Sequence, residues 1–286
     1  MTIAPAELTA TYVRDKVAEA LREDLGAADR DVTSDSVVDA ALWATAELRA
    51  KAPGVVAGLG VAEEVFRQVD PAIRFRAAVA DGAAVESGGL LVEVSGPLRA
   101  LLRAERTALN FLQQLSGVAS LTRRYVDAAG PRAALLDTRK TVPGLRPLQR
   151  WAVAAGGGVN HRYNLEAAVL IKDNHVAAAG GTAAAVRRAR GSGLPVEVEV
   201  ENLAELRVAL EEGAEGVLLD NMTPADVGEA VRLTAGRAAL EVSGGVTLDN
   251  VGAYGATGVD RISIGALTHS APALDVSMEV TDRWQQ

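Results

Sequence analysis

From residue 134 onward the sequence repeats one pattern six times: a short apolar run ending in polar or glycine residues, then a helical stretch. The runs are ALLDTRK (134–140), AVLIKDNH (168–175), VEVEVEN (196–202), GVLLDN (216–221), ALEVSGG (239–245) and RISIGA (261–266). Helical candidates such as TAAAVRRAR, LAELRVALEEG and PADVGEAVRLT lie between them. Strands alternating with helices imply parallel β/α units joined by right-handed crossovers. Ligand residues in such folds collect at the carboxyl ends of the strands. Here each run ends in chemistry: Arg139 and Lys140, Lys172, Glu201, Asp220, Ser243, Gly265. Six such ends in succession predict a barrel mouth. Six units are too few for an eight-stranded barrel of typical size, so the expected architecture is α/β with an incomplete, about six-stranded barrel.

Residues 1–110 read differently. A helical start, AELTATYVRDKVAEALREDL, gives way to strand-like pieces punctuated by turns, ATAELRAKAPGVVAG and IRFRAAVADGAAVESGGLLVEVSGPL. The stretch RALLRAERTALNFLQQLSGVASLTRRYVDAA is long and helical and should link the two parts. DVSMEV (275–280) alternates again and can return as a strand to the first part. The expected division is an N-terminal α+β sandwich domain over 1–110, joined by a C-terminal strand within 271–286, and a catalytic barrel over 111–270.

VEVEVEN poses an electrostatic question. Side chains in a strand alternate between faces, so Glu197, Glu199 and Glu201 share one face, with neighbours only about 7 Å apart. Either these carboxylates stand in water, or they face an interior that supplies cations. Charge along the chain bears on the choice. The formal net charge is −8 and the pI near 5.1, without the overall basic footprint of a nucleic-acid binder. Yet from Arg139 to Lys172 six basic residues (Arg139, Lys140, Arg146, Arg150, Arg162, Lys172) face one acid, Glu166, and two of the four lysines fall there. Arg146 and Arg150 read as helix-surface charges.

Composition narrows the classes further. With 49% hydrophobic residues and 3% aromatics, the core has to be built from small and branched aliphatics. The start MTIAPAELTATYVRDK has neither a basic n-region nor an apolar h-region, and no apolar run approaches the roughly 20 residues of a membrane helix. With no cysteine, disulfides, thiolate metal sites and cysteine nucleophiles are excluded. The expected location is the cytoplasm.

Within the cationic window stands LLDTRKTVPGLRPLQRWAVAAGGGVNHRYNLEAAVLIKDNH (135–175). Arginine beside lysine at a strand end offers a planar fork for a carboxylate and a compact charge for a phosphate. GGGVNHR lets the backbone pass close to a ligand while presenting His161 and Arg162. SGG (Ser243, Gly244, Gly245) and IGA (Ile264, Gly265, Ala266) offer backbone N–H groups suited to phosphate oxygens. His175 and His269 read as structural. VLLDNMTP lacks the paired acids and the following Gly/Thr loop of the common phosphoribosyltransferase fold.

DTRKT-PGLR, GGGVNHR and LIKDNH, in this order, resemble the quinolinate phosphoribosyltransferase family, also called nicotinate-nucleotide pyrophosphorylase (carboxylating). The likeness extends from REDLGAADRDVTSD (22–35) through ERTALNFLQQLSGVAS (105–120) to ISIGALTHS (262–270). Extra residues in DLGAADRDVTS and Val142 depart from the family pattern without touching a charged position. The resemblance implies that the ring nitrogen of quinolinate attacks C1 of phosphoribosyl pyrophosphate. Pyrophosphate and carbon dioxide leave, and nicotinate mononucleotide results. It further implies that Arg139, His161 and Arg162, with Thr138 beside them, hold the two ring carboxylates, and that Arg106 joins them from the partner chain of a homodimer. Lys140 and Lys172 would meet phosphate or substrate charge. Glu201 and Asp220 would bind ribose hydroxyls and help place Mg²⁺. On this view the VEVEVEN glutamates face the barrel interior and its valines the helices. Two other functions stay open from the residues alone: a barrel lyase or aldolase forming a Schiff base at Lys172, and a non-catalytic anion-binding relative of the type associated with molybdate transport.

Overall fold

The structure, a computed structural model, describes residues 6–285. Contacts divide it into two compact units: the chain up to Leu121 with Pro143–Gly157 and Ala271–Gln286, and Thr122–Val142 with Gly158–Ser270. Among the described residues no helix is long and apolar enough to cross a membrane.

In the first unit, helix α1 (Ala10–Leu25) starts where the Thr9 hydroxyl accepts the Tyr12 amide, and α2 (Val32–Val37) where Asp31 accepts Thr33 and Ser34. Strand β1 (Leu42–Ala50) alternates strictly: Ala44, Ala46, Leu48 and Ala50 are fully buried. Strands β2 (Gly54–Val55) and β4 (Ala84–Val85) form a separate pair, flanking helix α3 (Leu59–Val69) and β3 (Arg74–Ala77). With β5 (Leu90–Pro97), β1 and β3 build an antiparallel sheet whose outer strand is Val276–Gln285, paired with β1. Small residues in β1 let the neighbouring layer come close, in keeping with a core of alanine and aliphatics.

The long helix α4 (Leu98–Ala129) supplies hydrogen bonds as well as apolar surface. Its buried Ser116 and half-buried Ser120 accept the amides of Ala57 and Val55, at 3.0 and 2.8 Å. These backbone groups would otherwise lack a partner in the interior. Helix α5 (Arg146–Ala155) also belongs to this unit, and Trp151 donates from Nε1 to Asp81 at 2.8 Å. Here one sequence expectation is corrected. Arg150 is 6% exposed and no surface charge, because Pro147, Leu148, Gln149, Ala152, Val153 and Ala155 bury the helix around most of its circumference. Arg146 is half-buried.

The second unit carries the repeat. Its strands are β6 (Ala134–Leu136), β7 (Val169–Ile171), β8 (Val196–Val200), β9 (Gly216–Asp220), β10 (Ala239–Ser243) and β11 (Arg261–Ser263). All pair in parallel, in the order β6-β11-β10-β9-β8-β7. Helices α6 (Asp173–Ala179), α7 (Thr182–Ala189), α8 (Leu203–Glu211), α9 (Pro224–Thr234), α10 (Val251–Gly255) and α11 (Ala266–His269) follow or connect them. Because β6 sits beside the last strand and not beside β7, the sheet has the order of a barrel with one seam left open. At that seam Val159 makes a single parallel bridge to Leu136. The expected incomplete six-stranded barrel is thus a six-stranded parallel sheet that does not close.

Candidate active site

Six parallel strands aim their carboxyl ends in one direction, and the residues after them converge. A cavity of about 180 Å³ at this end is lined by Thr138, Arg139, Lys140, His161, Arg162, Lys172 and Ser243, with Glu241 and Ser263 at its wall. Seven of the expected site residues therefore share one space.

Each is placed by a local device. The buried Asp137, at the end of β6, accepts the His161 amide and the Asn160 side chain, both at 2.7 Å. This ties the GGGVNHR loop to β6. Arg162 then donates from Nη1 to Ala168 O at 2.8 Å. Burial and the neighbouring Arg139 push Arg162 down from its ordinary value, against the charge of Glu197. Lys140 is fixed through its backbone, which receives the Thr268 hydroxyl at 2.8 Å. The Lys172 amide donates to His175 Nδ1 at 2.9 Å at the start of α6, the structural use expected of His175. His269 meets Ser270.

The glutamate face resolves residue by residue. Lys172 Nζ lies 2.5 Å from Glu199, whose side chain is 9% exposed. Glu197 meets no lysine; its partner is His161, at 3.4 Å. Glu201 falls just past the strand and is exposed, its amide donating to Glu205. The valines 198 and 200 are fully buried. Asp220, at the end of β9, receives the Asn221 side chain at 2.7 Å. Burial, reinforced by Glu199, raises its carboxyl above the usual range, while Lys172, Asn221 and Lys140 pull it down.

Glu197 and Glu199, singled out from the strand pattern, lie at the site, and three further residues there were not singled out from sequence: Asp137, Glu241 and Ser263. Glu241 is 1% exposed, lies 3.3 Å from His161 Nε2 and accepts the Ser263 hydroxyl. A signal existed, since an acid two residues before Ser243 on an apolar strand points to the same face. Burial lowers the His161 ring, but hydrogen bonds and charge from Glu197 and Glu241 outweigh it and lift the ring to about 9.

The expected phosphate-binding turns stand at the ends of β10 and β11. Gly244 and Gly245 have φ of +88° and +62°, a backbone that favours glycine. One detail is corrected: the Ile264 amide is used by Leu136 O at 3.0 Å, so only Gly265 and Ala266 of that run can turn amides to a ligand. Arg106 is exposed on α4, in the first unit.

Sequence comparison matches the quinolinate phosphoribosyl transferase N-terminal domain to residues 31–116 and its C-terminal domain to residues 118–279. The chain belongs to the quinolinate phosphoribosyltransferase family. The nicotinate-nucleotide pyrophosphorylase [carboxylating] of Mycobacterium leprae is 44% identical over 93% of this chain and 96% of its own. The probable enzyme of that name from Bacillus subtilis is 41% identical, over 91% and 90%. Among solved structures, the nicotinate-nucleotide pyrophosphorylase from Francisella tularensis superposes with a TM-score of 0.92 at 39% identity, covering 98% of this chain and all of that one. A quinolinate phosphoribosyltransferase needs a cationic mouth for a dicarboxylate and a phosphorylated sugar. The cavity at the strand ends has that character.

Proposed function

We infer that this chain transfers phosphoribose from phosphoribosyl pyrophosphate to quinolinate with decarboxylation, giving nicotinate mononucleotide, pyrophosphate and carbon dioxide for NAD biosynthesis. The observation that carries the reading is the convergence of Arg139, Lys140, Arg162 and Lys172 on one cavity in a chain of this family. Arg139, Arg162 and His161 hold the two ring carboxylates beside Thr138, through charge-assisted hydrogen bonds worth roughly 1.5–3 kcal/mol each. Lys140 and Lys172 meet phosphate charge, and Ser243, Gly244, Gly245, Gly265 and Ala266 offer donors to phosphate oxygens. Asp220 and Glu201 take the ribose hydroxyls.

Positive charge develops at C1 of the ribose as pyrophosphate leaves. The carboxylates of Asp220 and Glu199 favour it. For a divalent cation the donors near the mouth are carboxylate oxygens without a closed cage, which suits Mg²⁺, an ion that keeps several waters and shares phosphate ligands. Asp220 and Glu201 would hold it, and it would supply charge neutralisation to the pyrophosphate. Arg106 comes from the partner chain of a homodimer, and the enzyme works in the cytoplasm.

The two other functions are not favoured. A Schiff-base lysine needs a depressed pKa, whereas Lys172 is ion-paired with Glu199. The relatives that span nine-tenths of this chain are named as the carboxylating pyrophosphorylase and not as binding proteins. Purified protein should release labelled carbon dioxide from quinolinate in a reaction that requires phosphoribosyl pyrophosphate and stops on chelation of the metal. Nicotinate should not substitute, because it brings one carboxylate to a site for two. Folded protein without turnover would refute the reading.

A further inference from the structure

Asp220 and Ser243 end the neighbouring parallel strands β9 and β10 and stand opposite each other in the register. The first is the carboxylate assigned to the ribose, and the second opens the turn assigned to phosphate. Asn221 lies against both.

It follows Asp220 with a φ of +54°, a left-handed conformation that asparagine visits more readily than most residues, because its short amide can bond locally. The chain is pinned around it. The Asn221 amide donates to Ser243 O at 2.9 Å, Met222 O accepts the Tyr254 hydroxyl at 3.0 Å, and Thr223 caps α9 by accepting the Asp226 amide. Strain of this kind persists where surrounding contacts over-determine it, and it collects at functional sites. Asn221 is exposed, so burial is not what holds its side chain.

The side chain bridges two subsites. Nδ2 donates to Asp220 Oδ2 at 2.7 Å; a carboxylate only accepts, which fixes the direction of the amide. Oδ1 is thereby turned to Gly244 and fills the place that a Cβ would take there. Asp220 needs such a hold. Glu199 repels its charge, while Lys172 and Lys140 attract it. A carboxylate free to turn to these lysines would neutralise the charge that meets phosphate and leave the ribose without its acceptor.

We propose that Asn221 is a positioning residue for phosphoribosyl pyrophosphate. Its amide fixes Asp220 toward the ribose and the turn 243–245 toward phosphate as one unit, and it keeps Asp220 off the lysines of the mouth.

The proposal rests on the phosphoribosyl-transfer reading, whose failure would show first as wild-type protein making no nicotinate mononucleotide. With active wild type, Asn221→Gly removes the amide and suits the left-handed backbone. It should raise the KM for phosphoribosyl pyrophosphate by about tenfold or more, the worth of a hydrogen bond to a charged group. The KM for quinolinate and the unfolding midpoint should change little. Calorimetry makes the comparison without turnover. Phosphoribosyl pyrophosphate with Mg²⁺, titrated into protein saturated with phthalate (a dicarboxylate that lacks the ring nitrogen), should bind the variant about tenfold more weakly. Asn221→Asp keeps the size and the backbone preference but turns an acceptor to Asp220, so it should weaken binding at least as much. It decides by the same measurements if Asn221→Gly does not fold. Asn221→Gly and Gly244→Ala together should do less than the sum of their separate effects, because the added methyl no longer meets Oδ1. An unchanged affinity for phosphoribosyl pyrophosphate, or an equal loss for both substrates, would overturn the proposal, and additive effects would overturn the bridge to the turn.

Discussion

His161 links charge to stability through the two carboxylates at its Nε2. Its ring is raised from 6.5 to about 9 in the folded protein. A group whose folded value exceeds its unfolded value stabilises fully below the unfolded value and loses that contribution as pH rises through the folded one. The unfolding free energy of the wild type should therefore exceed that of His161→Gln most at pH values below 6.5, with the gap closing as pH passes about 9. Urea titrations at a series of pH values check this, and a gap that widens with pH would contradict the assignment. A second residue-scale expectation separates site from surface cations. Arg139 is exposed at the mouth and Lys172 is 48% exposed, but Lys172 also pairs with the nearly buried Glu199. Arg139→Ala and Lys172→Ala should each lose activity by about tenfold or more, the worth of one charge-assisted bond, and Lys172→Ala should also lower the unfolding midpoint, because it leaves Glu199 without its cation. Arg207→Ala, exposed on α8, should leave kcat/KM unchanged.

At the scale of elements, the repeat from residue 134 showed the strands because each is a short apolar run that ends abruptly in polar chemistry. Their carboxyl-end residues were legible for the same reason: a single sheet direction places every strand end on one side. What stayed hidden depends on contacts between elements. Glu241 sits mid-strand, and only its pairing across to His161 and Ser263 gives it a role. Arg150 lies in a helix buried nearly all round, which leaves no polar stripe for periodicity to detect. Arg150→Ala should accordingly lower the unfolding midpoint clearly, where a surface arginine would not, and thermal unfolding measures it. The turn after β10 gives a sharper case. A Cβ on Gly244 would lie 2.3 Å from Asn221 Oδ1 and 3.1 Å from the Asn221 amide, at a φ of +88°. Gly244→Ala adds about 1–3 kcal/mol of backbone strain and displaces the turn. The expected result is a raised KM for phosphoribosyl pyrophosphate with the KM for quinolinate little changed. Equal changes in both would mean that the turn does not serve the phosphates.

For the whole molecule, the charge of −8 opposes binding of anionic substrates at long range, so recognition depends on how the cations are concentrated. Arg106 is one that the strand ends do not supply. It is exposed on α4, about 30 residues before the first strand-end cation. We propose Arg106 as a substrate ligand, with a neighbouring chain as its source. In a two-fold dimer any contact made across the interface occurs twice, and two sites would each borrow the other chain's arginine. Mixing inactive Arg106→Ala chains with inactive Lys172→Ala chains tests this. In a mixed dimer one site then carries both defects and the other carries neither, so activity should return, up to about half of wild type per mixed dimer. Chains that demonstrably exchange without regaining activity would place Arg106 outside the shared site.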